Sequence, residues 1–219
     1  MAHGSGGKAM KDLIDAIFVE QFDNDELAKL EDQARISIAD LSKIGDRLAF
    51  TTDSYVVYPL FFAGGDIGKL AVAGTVNDLA VGGATPLYLT CSLILEEGLA
   101  VADLRRVIAS MAQTARTCGV SIVTGDTKVV ERGSADKMFI NTAGVGVIKV
   151  GTAISAAAAR AGDVILVNGS IGDHGAAIVA SRGDLAIESD IESDCRPLSD
   201  LISNMLAVCP DIRSMRDAT

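Results

Sequence analysis

The hydrophobic and polar positions divide the chain into segments of helical and of extended period. Leu13, Ile14, Ile17, Phe18 and Phe22 recur at helical spacing and predict a helix from about Lys11 to Gln21. Mixed charge from Asp23 to Arg35 predicts a solvated helix or loop. Leu48-Ala49-Phe50-Thr51-Thr52 predicts a strand that ends at Asp53-Ser54. Phe61 to Gly65 predicts a loop, and Asp66 stands where it can cap a helix running to about Val81. That helix is apolar nearly all round except for Asn77 and Asp78, so it is expected to be buried.

Further along, Leu87 to Leu95 predicts a strand. Asp103 is expected to cap a helix that carries Leu104, Val107, Ile108, Met111, Ala115 and Cys118 along one face. Ser121 to Val130 and Lys137 to Val150 predict two long strands. The polar turn Glu131-Arg132-Gly133-Ser134 suits a hairpin between them. Ala156 to Asp163 predicts a short helical connection and Val164 to Val167 another strand. Gly169 to Gly175 precedes a helix to about Ser181, and a last helix is expected near Leu201 to Val208. A boundary near Gly151 divides the chain into residues 1–150 and 151–219. The alternation without a strict strand-helix-strand period favours an α+β (α/β) architecture, a mixed sheet with helices on one face.

Composition narrows the function classes. Hydrophobic residues make up 49% of the 219 and aromatics only 4%, with no Trp, so the core must be built mainly from Ala, Val, Ile and Leu. A formal net charge of -10 argues against a nucleic-acid partner, which normally calls for a basic face. The weakly charged stretch Leu70 to Leu95 is interrupted by Asn77-Asp78, Gly82-Gly83 and Pro86. It is better read as a buried helix followed by a buried strand than as a membrane span. The first residues lack the apolar segment of a signal peptide. Cys91, Cys118, Cys195 and Cys209 form no zinc pattern, so reduced thiols and a cytoplasmic location are expected.

Three sets of residues are candidates for chemistry. Asp53, Asp78, Asp126 and Asp217 each follow or interrupt an apolar segment, where a carboxylate is costly unless a cation meets it. Magnesium suits hard oxygen ligands and bridges carboxylates to nucleotide phosphates. Helix caps or turns account equally well for most of these positions, but not for Asp78 in the middle of an apolar helix. The glycine-rich start, His3-Gly4-Ser5-Gly6-Gly7-Lys8, can cradle phosphate or can be a loose terminus. In Gly125-Asp126-Thr127-Lys128 the lysine shares a strand face with the aspartate, and it suits either phosphoryl charge neutralisation or an ordinary edge strand. Gly64-Gly65-Asp66-Ile67-Gly68-Lys69 lacks the spacing and the Ser/Thr of a Walker A loop.

Taken together and in order, several motifs resemble the HypE family of the PurM-like ATP-binding superfamily. They are Ala2-His3-Gly4-Ser5-Gly6-Gly7, Thr52-Asp53-Ser54, Gly74-Thr75-Val76-Asn77-Asp78-Leu79-Ala80, Gly125-Asp126-Thr127-Lys128-Val129-Val130, Phe139-Ile140-Asn141-Thr142-Ala143-Gly144, Gly172-Asp173-His174-Gly175 and Arg216-Asp217-Ala218-Thr219. The resemblance implies a PurM-like N-terminal domain that forms a homodimer through its sheet, with ATP and Mg2+ near the interface, and the start of a second α/β domain. It implies Asp53, Asp78, Asp126 and Asp217 as metal ligands. Asn77, Asp126, Thr142 and Gly144 would lie by the nucleotide, and His3, Gly4, Gly6, Gly7 and Lys8 over its phosphates. Lys128 and Asp78 would serve the chemistry itself.

The implied reaction is ATP-dependent dehydration of a protein C-terminal S-carboxamide to a thiocyanate, for the cyanide ligands of nickel-iron hydrogenase. A HypF carbamoyltransferase would supply the carbamoyl group and a HypC–HypD complex would receive the cyanide. The chain stops at Thr219, short of the family's C-terminal cysteine, so alone it is expected not to form thiocyanate. Two alternatives stand beside this reading. A selenophosphate synthetase type would call for a Cys or selenocysteine in the first glycine-rich loop, which has none. The other is a non-catalytic dimerisation and docking module.

Overall fold

The computed structural model describes residues 7–183 and 190–217. Helix α1 (Lys8–Leu13) runs through a π-helical stretch (Ile14–Val19) into α2 (Glu20–Phe22), and two short helices follow, α3 (Asp25–Ala28) and α4 (Ile38–Leu41). Next come β1 (Arg47–Tyr55), a small ribbon of β2 (Phe61–Phe62) and β3 (Gly65–Asp66), α5 (Ile67–Val81), β4 (Ala84–Glu96) and α6 (Val101–Cys118). Strands β5 (Ser121–Val130) and β6 (Met138–Ile148) complete the first unit, and α7 (Asp173–Arg182) and α8 (Ser199–Val208) follow. Among the described residues no helix is long and apolar enough to cross a membrane.

Helix α5 is the central element. The Asp66 carboxylate caps it as expected, accepting from Gly68 N at 2.8 Å and Lys69 N at 3.1 Å. Ile67, Ala71, Val72 and Val76 are fully buried, so the helix is enclosed nearly all round, as its composition requires. It packs on β1, β4 and β6 on one side and on α6 on the other. Gly144 permits the close approach to β6: a Cβ there would stand 2.9 Å from both Leu79 Cδ1 and Thr75 Cγ2.

The sheet is mixed, in the order β1-β6-β4-β5, with β6 antiparallel to both β1 and β4 and β5 parallel to β4. The expected hairpin between β5 and β6 therefore does not form. Strand β4 lies between them, burying Leu89, Cys91, Leu93 and Leu95 under the helices. A strand so enclosed needs a backbone partner on each edge. The polar turn instead carries the chain across the end of β4, where Glu96 accepts from Gly133 N and Lys137 N.

Three smaller expectations change as well. Strand β1 continues through Asp53 to Tyr55, because its partner β6 continues opposite it. Helix α6 starts at Val101 behind Ala100 with no side-chain cap, and Asp103 sits in its first turn, where its charge favours the helix dipole. Val164 to Val167 is not a strand: it is irregular and open to solvent, Ile165 being 88% exposed. A strand needs a neighbour, and among the described residues nothing pairs with this segment.

Helices α5 and α6 cover one face of the sheet. By strand alternation and register the other face presents Phe50, Tyr88, Ser92, Ile94 and Asn141, and Phe50 is 71% exposed.

Candidate functional site

Strand β1 and helix α5 together bring carboxylates to one place. Thr51 and Asp53 share a face of β1, and Thr51 Oγ1 donates to Asp78 Oδ2 at 2.8 Å. Asp217 lies near enough for its negative charge to act on Asp78. Burial raises the pKa of the Asp78 carboxyl. The Thr51 hydrogen bond opposes this, and the negative charges of Asp217 and Asp53 add to it. Among the described residues neither Asp53 nor Asp78 takes part in a salt bridge.

Asp53, Asp78 and Asp217 place negative charges within electrostatic reach of one another, and carboxylates are hard-oxygen donors of the kind Mg2+ takes. Among the described residues no three carboxylate, imidazole or thiol groups close on one point by themselves. A cation held here would complete its shell with phosphate oxygens and water.

Asp126 stands apart from this cluster. Asp53, Thr142, Cys91 and Gly125 form one register row across the four strands, and Asp126 is the next residue along β5. Three strand spacings separate the ends of the row, about 14 Å. Lys128 Nζ lies 2.8 Å from Asp126 Oδ1 and 2.7 Å from Oδ2, and it holds the Asp126 carboxyl below the usual carboxylate range. The pair borders a cavity of about 310 Å³ whose apolar wall includes Met10, Ile14 and Phe18 from the N-terminal helical run. Gly7 and Lys8 lead into that run, and Lys8 pairs with Asp12 at 2.6 Å. His3, Gly4 and Gly6 lie outside the described residues.

Asn77, Thr142 and Gly144 have internal partners. Asn77 Nδ2 donates to Arg196 O at 3.0 Å and its Oδ1 accepts from Leu198 N at 2.8 Å. Thr142 is fully buried in a hydroxyl chain that runs from Tyr55 through Thr75 and Thr142 to Ala71 O. Gly144 lies under Leu79 and Thr75. Sequence reasoning missed Thr51 as a partner of Asp78. Its signal was available in the alternation that puts residues 51 and 53 on one strand face.

Comparison with known proteins places this geometry in a family. The model of "AIR synthase related protein, N-terminal domain" matches residues 31–148. Carbamoyl dehydratase HypE of Rhodobacter capsulatus is 58% identical over the whole chain, and that of Escherichia coli K12 is 55% identical. The chain spans 64% and 65% of those relatives' lengths. The crystal structure of E. coli HypE, a hydrogenase maturation protein, superposes with a TM-score of 0.90 at 55% identity, covering 95% of this chain and 64% of that one. A crystal structure of HypE in complex with ATP gives 0.92 at 50% identity, covering 99% and 63%. A HypE–HypF complex gives 0.76 at 46%, covering 94% and 65%. The chain belongs to the AIR synthase related protein family, and over its whole length it is similar to the HypE proteins.

Proposed function

We propose that this chain is the nucleotide-holding part of an ATP-dependent carbamoyl dehydratase. In that role it serves the conversion of a protein C-terminal S-carboxamide to a thiocyanate, the source of cyanide for the nickel-iron hydrogenase site. The observation that carries the reading is Asp78. It is the one acidic residue of a largely apolar, buried helix, with Asp53 and Asp217 nearby and no salt bridge to Asp78 or Asp53 among the described residues. Such a cluster disfavours the metal-free fold, which is understandable if its charge is used to hold Mg2+ on a triphosphate.

The bound Mg2+ would supply charge neutralisation at the phosphates. The protein's own groups position and exclude: Thr51 orients Asp78, and Lys128 offers a cation for phosphoryl charge. Asp126 and Lys128 share the open sheet face with Phe50 and Ile94. We assign that face to a homodimer in which the Asp126–Lys128 pair lies at the interface rather than beside Asp78 of its own protomer. HypF as carbamoyl donor, HypC–HypD as acceptor and a cytoplasmic setting belong to the same reading. A HypE relative has been solved with HypF.

Calorimetry with Mg-ATP tests it. Binding that disappears in Asp78→Ala supports the nucleotide site. A well-folded dimer that takes up no Mg-ATP leaves only the docking module.

A further inference from the structure

The chain beyond residue 190 is held by backbone and side-chain hydrogen bonds to the first unit and to the segment that follows it. Ser193 N donates to Ala63 O at 2.8 Å, and His174 Nδ1 and Ser193 Oγ are 2.9 Å apart. Asn77 then receives Arg196 and Leu198, and α8 packs on α5 and β4 with Ile202 buried. Ser155 N donates to Arg213 O at 2.9 Å, and beyond it Asp217 lies within electrostatic reach of Asp78.

Asn77 of α5 hydrogen-bonds this strap through both ends of its side-chain amide, and it is buried. Its amide matches a carbonyl and an N–H on the strap, one donor to one acceptor and one acceptor to one donor. A carboxylate would lose the donor, and an apolar group would leave both backbone groups without a partner where water has poor access. Consecutive helix residues point about 100° apart. One turn of α5 therefore turns Asp78 towards β1 and Asn77 towards the strap.

We propose that Asn77 is a positioning residue, a latch that fastens Arg196–Leu198 to α5 and thereby presents Asp217 to Asp78. The role rests on the proposed nucleotide site. It differs from direct contact with the nucleotide, because both amide groups are already engaged.

The test uses the full chain with Asn77→Ala, the nearly isosteric Asn77→Leu as a variant that preserves helix packing, Asp217→Ala, and the double variant Asn77→Leu/Asp217→Ala. Hydrogen exchange at the Leu198 amide is expected to accelerate in both Asn77 variants. Unchanged exchange overturns the latch. Calorimetry is expected to show Mg-ATP affinity reduced about tenfold by Asn77→Leu and by Asp217→Ala, as for loss of a group that orients a ligand. The double variant should lose no more than either single, since both act through one carboxylate. Additive losses, or a loss in Asp217→Ala with none in Asn77→Leu, overturn the latch and leave the site standing. Unchanged affinity in Asp217→Ala overturns Asp217 as a ligand, and the latch's role with it.

Discussion

Thr51 Oγ1 donates to Asp78 Oδ2 at 2.8 Å, which ties the middle of β1 to the one acidic residue of α5. The bond favours the ionised carboxylate, but burial and the charges of Asp217 and Asp53 outweigh it and raise the Asp78 pKa. A raised carboxyl pKa means that the fold prefers the protonated form. That preference stabilises the protein fully below the ordinary carboxylate range and fades as pH rises through the raised value. At neutral pH Asp78→Asn should therefore stabilise the metal-free protein by about 0.5–1 kcal/mol while abolishing Mg-ATP binding. Thermal melts of both forms should converge as pH falls into the carboxylate range. A variant less stable than the parent at neutral pH would contradict this.

Thr142 tests whether a buried hydroxyl serves the fold or the ligand. It shares its hydroxyl with Thr75 and Ala71 O, out of reach of solvent. Thr142→Val keeps the shape and removes the link, so it should cost about 1–2 kcal/mol in denaturant unfolding. Calorimetric affinity for Mg-ATP should be unchanged.

Gly144 gives a steric prediction. With Leu79 Cδ1 and Thr75 Cγ2 each 2.9 Å from the site of a new Cβ, Gly144→Val must push α5 off the sheet. Overpacking of this kind costs about 1–3 kcal/mol, read as a lower Tm. Since the displaced helix carries Asp78, Mg-ATP binding should weaken as well.

The open sheet face predicts self-association. Phe50 is 71% exposed, Leu48 50% and Ile94 40%, apolar side chains on one sheet face that a partner sheet would cover. Light scattering of the parent should give a dimer at micromolar concentration, and Phe50→Asp should give a monomer with an unchanged circular dichroism spectrum. A monomeric parent would remove the dimer from the proposed function.

Local pattern made the helices legible. The apolar runs of α5 and α6, and the cap at Asp66, follow from side-chain spacing and short-range hydrogen bonding alone. Strand order was not legible: a turn sequence such as Glu131–Ser134 reports that the chain reverses, and which strand it meets depends on where β4 has been inserted. The site was legible as residue types and not as a constellation. Asp53 and Asp78 are neighbours because β1 pairs with a distant strand under α5, whereas Asp126 is separated from them by the width of the sheet. Val164 to Val167 shows the same limit, since an apolar run becomes a strand only when another strand lies beside it.

The strand order also sets a timetable for synthesis. Strand β1 is made early, yet among the described residues it pairs with β6 alone, and β6 is the last strand of this sheet to be translated. Until residue 148 has left the ribosome, Leu48 and Phe50 belong to an unpaired ribbon. Closure from such distant parts is slow, and the waiting strand is open to neighbouring nascent chains.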